Sequence, residues 1–334
     1  MNIYKLIRLN RLVRNHRLKF LALFGLHKLG FRYLAINLDP VLACNLRCTM
    51  CYFTDKEYVK KFKGQLKIEE IERIAEVMFR RALKLQIGCG TEPTLYKNLP
   101  QIVALGKRYK VPYISLTTNA NLLTRDSIVE LLDAGLDEFT ISLHGVKKDT
   151  YEKFMQKAQY EIFMNVFRTF AELKKSRTFK VRINYTFNKD NFYELSEFFD
   201  YFDGKSFDIL QIRPIQKMGN TAYNDFDLKP LKEEFPAVIK TIRDACEING
   251  IILMAPSELP SKSKVNASSL VFDYTFCYVS PDQVWKPDFN WREQSFESYS
   301  KEIGWGKVLF RNIFRSKSDL KNRPNRLNYE IEFN

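Results

Sequence analysis

The stretch YLAINLDPVLACNLRCTMC, residues 33–51, runs from a short apolar segment into a loop with cysteines at positions 44, 48 and 51. The chain holds six cysteines in 334 residues, so half of them fall within eight positions. The segment 33–39 reads as a β-strand, which puts the cysteine loop at a strand's C-terminal end. Three clustered thiols are one short of the four ligands of a closed tetrahedral zinc site. Six unevenly spaced cysteines are also too sparse for the disulfide framework of a small secreted domain.

Outward from this stretch the same kind of run recurs: LKLQIG (83–88), YISLT (113–117), EFTISL (138–143), VRINYTF (181–187) and DILQIRPI (208–215). Helical patterns separate them near 67–82, 99–109 and 125–134, across 148–175, and near 191–202. Six strands, each followed by a helix or a crossover, imply a parallel sheet with right-handed connections. No glycine-rich dinucleotide fingerprint follows the first strand, which favours a barrel over a doubly wound sheet. The expected fold is therefore α/β, a partial (β/α)6 TIM-like barrel over residues 33–220. A basic amphipathic N-terminal helix over 1–32 precedes it, and a small C-terminal extension over 221–334 follows. In such a barrel, function gathers at the C-terminal ends of the strands, where the cysteines stand.

The charge is lopsided, 53 Lys+Arg against 39 Asp+Glu for a net +14. Residues 1–32 hold eight cations and no carboxylate, and residues 307–326 hold seven cations and one Asp. In the first segment Ile3, Leu6, Ile7, Leu9, Val13 and Phe20 interleave with Lys5, Arg8, Arg11, Arg14 and Arg17. Two readings stand open: an interfacial helix on an anionic membrane surface, or a cap on the core that buries Leu18, Phe20, Leu21 and Phe24. No nucleic-acid motif accompanies the charge, so no specific nucleic-acid partner is expected. No run reaches the ~18 apolar residues of a membrane span, and the short run 20–26 does not read as a signal peptide. The expected location is cytoplasmic, and peripheral at the membrane surface if the N-terminus lies on lipid. There, clustered thiols bind metal more often than they pair.

Three thiolates can hold three irons of a cubane [4Fe–4S] cluster and leave the fourth iron to a ligand that is not protein. The competing reading is a zinc site completed by His144 or Cys89, although a zinc ribbon would show a second CxxC.

With Cys44, Cys48 and Cys51 opening a β/α barrel, the sequence resembles the radical S-adenosylmethionine (radical SAM) superfamily. GCGTEPTL (88–95) looks like that family's Gly-Gly-Glu-Pro segment, aligned on Gly90, Thr91, Glu92 and Pro93. TTNA (117–120) is similar to its Thr-Asn-Gly, and ISLHG (141–145) resembles its Ser-Leu-Asp-Gly. The likeness covers roughly residues 33–220, with four motifs at four successive strand ends. It implies an enzyme with one [4Fe–4S] cluster and S-adenosylmethionine. One electron, from a donor such as flavodoxin or ferredoxin, would cleave the cofactor to a 5′-deoxyadenosyl radical that takes hydrogen from a substrate.

The resemblance also implies roles. Glu92 would accept from the cofactor's amino group, beside the backbone of Gly90 and Thr91. Asn119 and Ser142 would bond its ribose or carboxylate, and Asn184 and Arg213 would steady the carboxylate. No further catalytic residue is assigned. Two positions depart from the pattern: Met50 replaces the usual aromatic before the third cysteine, and Thr91 replaces a glycine. The stretch FCYVSPDQVWKPDFNW (276–291) resembles a degenerate form of the C-terminal extension of peptide-modifying members, the SPASM/twitch type, which hold extra clusters. Gln283 stands where that motif has glycine. Cys246 and Cys277 fall short of the three or four thiolates a second cluster needs, so one cluster is expected. The substrate is expected to be a peptide, a small polar metabolite or a lipid-linked molecule. An alternative class, a non-catalytic iron–sulfur or zinc-binding module, would have no use for Glu92 and the ribose-side motifs.

Overall fold

The computed structural model describes residues 3–217, 219–259, 267–320 and 331–333. Its strands, in chain order, are β1 (Leu34–Leu38), β2 (Arg47–Cys48), β3 (Ala82–Ile87), β4 (Ile114–Thr118), β5 (Glu138–Leu143) and β6 (Met155–Gln156). They continue as β7 (Lys180–Phe187), β8 (Ile209–Pro214), β9 (Ile252–Pro256), β10 (Phe276–Ser280), β11 (Gln283–Val284) and β12 (Ile331–Phe333). Ten of them form one sheet in the order β11-β10-β1-β3-β4-β5-β7-β8-β9-β12, and β2 pairs with β6 as a separate ribbon.

All six strands expected from sequence are present, and all are parallel to their neighbours. Two further parallel strands come from the segment read as a C-terminal extension: β10 lies beside β1 and β9 beside β8. Short antiparallel strands, β11 and β12, finish the two edges. Among the described residues no pairing joins those edges, so the sheet is an open barrel. The stretch SPDQV makes the β10–β11 turn, with Ser280 facing Gln283.

The strands hold because their alternation serves two environments. On β5 and β7, Phe139, Ile141, Leu143, Val181, Ile183, Tyr185 and Phe187 are fully buried in the apolar core. The residues between them are polar and meet one another on the barrel's inner face. Arg182 lies 2.8 Å from the Glu138 carboxylate and donates to the Thr140 hydroxyl at 2.9 Å. Each such pair satisfies groups that would otherwise be buried at a cost.

Where one N-terminal helix is expected, the chain folds as two. α1 (Ile3–Leu12) stops before residues 13–15, and α2 (His16–Lys28) starts from Asn15, whose side chain accepts from the Arg17 backbone N–H at 2.9 Å. An Asn with extended backbone is a preferred N-cap, and it restarts the helix in a new direction. α1 closes the floor of the barrel: Ile3 and Tyr4 are buried in a small cluster with Tyr113, Ile209 and Met254. The hydroxyls of Tyr4 and Tyr113 both donate to Glu138, the latter at 2.6 Å. α2 lies outside the barrel, with Phe20 fully buried and Leu18 and Leu21 exposed. The cap reading thus holds for α1 and for Phe20, and not for Leu18 or Leu21.

Candidate active site

β1 ends at Leu38, and the buried Asp39 that follows organises the mouth of the barrel. Its Oδ1 accepts from the Cys89 backbone N–H at 2.7 Å and the Thr91 hydroxyl at 3.0 Å. Its Oδ2 accepts from the Gly90 N–H at 3.0 Å and the Tyr278 hydroxyl at 2.8 Å. Burial and the Asp39 charge both push the Tyr278 phenol up, so it stays a donor. One carboxylate at the end of β1 therefore holds the turn after β3 on one side and β10 on the other. Thr91 replaces a family glycine without strain, because its φ is not positive and its hydroxyl joins this set. Gly90 packs closely: a Cβ there would meet the Tyr52 hydroxyl at 2.5 Å. That hydroxyl donates to the Gly90 carbonyl.

Glu92 ties the same turn to the end of β4. Its Oε1 accepts from the Thr94 hydroxyl at 2.6 Å, the Thr94 N–H at 3.2 Å and the Thr118 hydroxyl at 2.7 Å. Its Oε2 accepts from the Asn119 N–H at 2.8 Å. Burial pushes the Glu92 carboxyl up, and the hydrogen bonds from Asn119, Thr94 and Thr118 pull against it. Three donors share Oε1 and one reaches Oε2, so the spare acceptor capacity of the carboxylate is on Oε2. The Glu92 N–H donates in turn to the Ala43 carbonyl at 2.9 Å, next to the first cysteine.

The cysteine loop is held from several sides. Arg47 reaches the carbonyls of Cys44 and Leu46 at 2.8 and 2.7 Å, and the Cys51 N–H donates to the Cys48 carbonyl at 2.9 Å. The Asn119 amide donates to Asn45 Oδ1 at 2.8 Å, while its own oxygen accepts from the Asn121 N–H at 3.0 Å. Asn119 is thus largely occupied in clamping the loop. Cys48 sits on the β2–β6 ribbon, opposite Met155.

The three thiols line one cavity of about 250 Å³, open to solvent on one side, together with Gly90, Thr91, Glu92, Asn119, Ser142 and Arg213. Asn184 is the exception among the expected residues. It is in register with Ser142, which lines the cavity, but Asn184 does not, and Thr186, two residues further along β7, does. The Asn184 side-chain oxygen is buried without a partner. Met50 also lines the cavity, beside Tyr52 and Phe53. Its sulfur lies 3.2 Å from the Asn188 amide. The sequence reading missed Asp39, Asn45, Thr186 and Tyr278. The Asp directly after β1 was the available signal.

Cys89 and His144, the candidate fourth zinc ligands, both face this cavity. Burial, then the nearby Arg213 charge, pushes His144 down to about 4, and its Nδ1 is buried without a partner. Among the described residues no three His, Cys, Asp or Glu side chains converge on a point where one metal ion would sit. A cubane takes its thiolates at three separate irons, so thiols spread around a cavity suit a cluster better than a single zinc. Burial pushes Cys44 up to about 12 and raises Cys48 and Cys51 as well, so without a metal these thiols are neutral. Cys246 and Cys277 are buried in the apolar core, away from the cavity.

Comparison with known proteins agrees with this geometry. The family model of the radical SAM superfamily matches residues 39–201. A probable GTP 3′,8-cyclase of Pyrococcus abyssi is 31% identical over 211 residues, 60% of this chain and 65% of that protein. One of Sulfolobus acidocaldarius is 25% identical over 193 residues, 57% of this chain and 59% of that protein. The chain thus spans less than two thirds of these curated relatives. The crystal structure of Streptococcus suis SuiB bound to S-adenosylmethionine has the same fold, with a TM-score of 0.60 at 16% identity over 88% of this chain and 71% of that one. SuiB has also been solved with its precursor peptide SuiA. Family members bind a [4Fe–4S] cluster and S-adenosylmethionine. By its cysteine motif and its matched residues 39–201, this chain carries a radical SAM domain.

Proposed function

We propose that the chain is a radical SAM enzyme with a single cluster, held by Cys44, Cys48 and Cys51. Bound there, cluster and S-adenosylmethionine would supply a 5′-deoxyadenosyl radical on receipt of one electron from a flavodoxin- or ferredoxin-type donor. The protein's own part is to bind, orient and exclude water. Glu92 offers its open Oε2 direction to an ammonium group, and the turn at Gly90 and Thr91 offers backbone carbonyls beside it. Ser142 and Arg213 face the cavity and serve hydroxyl and carboxylate groups. Asn119 positions the cysteine loop, and Asn184 lies beside Ser142 on the neighbouring strand. His144 is neutral at physiological pH and presents an uncharged ring to the substrate side.

The observation that carries this reading is the convergence of three thiols and the Glu92 turn on one cavity. The substrate is proposed as a peptide, a small polar metabolite or a lipid-linked molecule. The nucleotide named for the cyclase relatives and the peptide bound by SuiB belong to those proteins. A cytoplasmic location is proposed, and the peripheral membrane position rests on a different face, formed by α2 and the helix Trp305–Phe314.

The test is anaerobic reconstitution followed by iron and sulfide analysis. About four irons and four sulfides per chain are expected, and loss of both in Cys48→Ala. With a strong reductant the loaded protein should convert S-adenosylmethionine to 5′-deoxyadenosine. One zinc and no sulfide would overturn the reading.

A further inference from the structure

α2 and the helix Trp305–Phe314 lie side by side and antiparallel. At one end His16 Nε2 is 3.0 Å from the Arg315 carbonyl oxygen. At the other, Gly306 packs against His27, where an added Cβ would sit 3.4 Å from the ring. Their inner faces are buried through Phe20, Leu23, Trp305 and Leu309, as an amphipathic pair requires. Their outer faces are apolar too. Leu18 is 55% exposed, Leu21 52%, Phe310 48% and Phe314 68%. The Phe24 ring lies 5.2 Å from Phe310, and Phe310 lies 5.3 Å from Phe314, so the strip crosses from one helix to the other without a gap.

Charge decides what such a strip suits. Arg17 and Lys28 on α2, and Lys307 and Arg311 on the other helix, are exposed. Neither helix contains an Asp or a Glu. Exposed aromatic and leucine side chains whose own helices carry cations and no carboxylate match the boundary between anionic headgroups and acyl chains. A protein partner would also have to supply carboxylates around an apolar centre, whereas an anionic bilayer supplies both at every point.

We propose that this two-helix face seats the protein on an anionic phospholipid surface, with Leu18, Leu21, Phe310 and Phe314 entering the headgroup boundary. The contact joins the two ends of the chain in one site. α1 is anchored to the barrel floor through Ile3 and Tyr4 and is not needed for this face.

The test uses the full chain, cluster-loaded, sedimented with phosphatidylcholine vesicles with and without phosphatidylglycerol. Binding should need the anionic lipid and fall as salt rises, because the attraction decays within a Debye length of ~10 Å at 0.1 M. The double variant Phe310→Ser/Phe314→Ser should lower the vesicle partition by about tenfold or more. Both side chains are largely exposed, so its thermal midpoint and iron content should stay at the wild-type values. Arg17→Glu/Arg311→Glu should weaken binding to anionic vesicles and steepen neither fold loss nor cluster loss. Vesicle binding unchanged in the double serine variant, or absent at low salt, would overturn the proposal. So would a dimer in light scattering that the serine variant splits, which would assign the face to a second copy. Iron, sulfide and 5′-deoxyadenosine readings stay separate from all these outcomes.

Discussion

The carboxylate of Asp39 takes four donors, three from the consecutive residues Cys89, Gly90 and Thr91 and one from Tyr278, 239 positions away. Every one of those groups donates, so the site needs an acceptor on both sides of the planar head group. Asn fits the volume and fails the chemistry: its NH₂ would face a backbone N–H, of Cys89 or Gly90, in a buried position. Asp39→Asn should therefore release one edge of the turn at residues 89–91 while leaving the cysteines untouched. Loss of charge-assisted hydrogen bonds costs about 1.5–3 kcal/mol, so S-adenosylmethionine affinity should drop about tenfold or more. Equilibrium binding to the loaded protein, with iron measured alongside, checks this. Normal affinity would mean the turn is held adequately by Glu92 alone. At this scale the candidate set of Cys44, Cys48, Cys51 and Glu92 stood out because the proposed chemistry demands those residue types at that spacing, and all four line one cavity. Asp39 was not, because its meaning depends on Tyr278, which arrives from a strand 239 positions later. Asn184 and Thr186 lie two residues apart on one face of β7, and the strand's pattern does not say which of them reaches the cavity.

Among the elements, α1 and the strands it closes show how a polar floor can be stable. Glu138 is fully buried, and burial alone would push its carboxyl up. The Arg182 and Lys84 charges and the Tyr113 and Tyr4 hydroxyls outweigh that and hold it below the usual carboxylate range. Removing one partner of such a pair leaves a buried charge uncompensated, at about 3–5 kcal/mol. Glu138→Ala should lose that much in denaturant unfolding, and Tyr4→Phe only about 1 kcal/mol. The pH dependence follows from the sign of the shift. A carboxyl with a depressed folded-state pKa contributes stability above its unfolded value and loses it as pH falls below that value towards the folded one. Wild-type protein should therefore lose stability on acidification below about pH 4.5, and Glu138→Gln should lose less over that interval. An unchanged acid slope in Glu138→Gln would remove Glu138 from the floor's electrostatics. The six central strands were legible because alternation over 138–143 and 181–187 separates two faces. The break at 13–15 was hidden by continuous amphipathicity, although Asn15 carried the cap signal. β9 and β10 were missed because short apolar runs such as ILMAP and FCYVS read equally as buried helix or strand until their neighbours are known.

For the whole molecule, the cavity is the place where separate parts of the sheet are joined at their C-terminal ends. Cys44, Cys48 and Cys51 follow β1, Gly90 to Glu92 follow β3, Thr118 and Asn119 end β4, and Ser142 and Arg213 lie on β5 and β8. An open sheet has no edge pairing to hold this ring together, so a ligand touching all of it should stabilise the fold as a unit. A ligand that binds only the folded state at 100 times its dissociation constant adds about 2.7 kcal/mol. With about 2 °C or more per kcal/mol for a domain of this size, the expected rise in Tm is about 5 °C. The rise should appear in cluster-loaded protein and be missing in Cys48→Ala, because on the proposed reading the cofactor would be held by the cluster as well as by Glu92. Thermal unfolding under anaerobic conditions, with and without S-adenosylmethionine, separates the contributions. Equal shifts in both proteins would mean that the side chains bind the cofactor without the cluster, and the assignment of three thiolates to three irons would fall with that result.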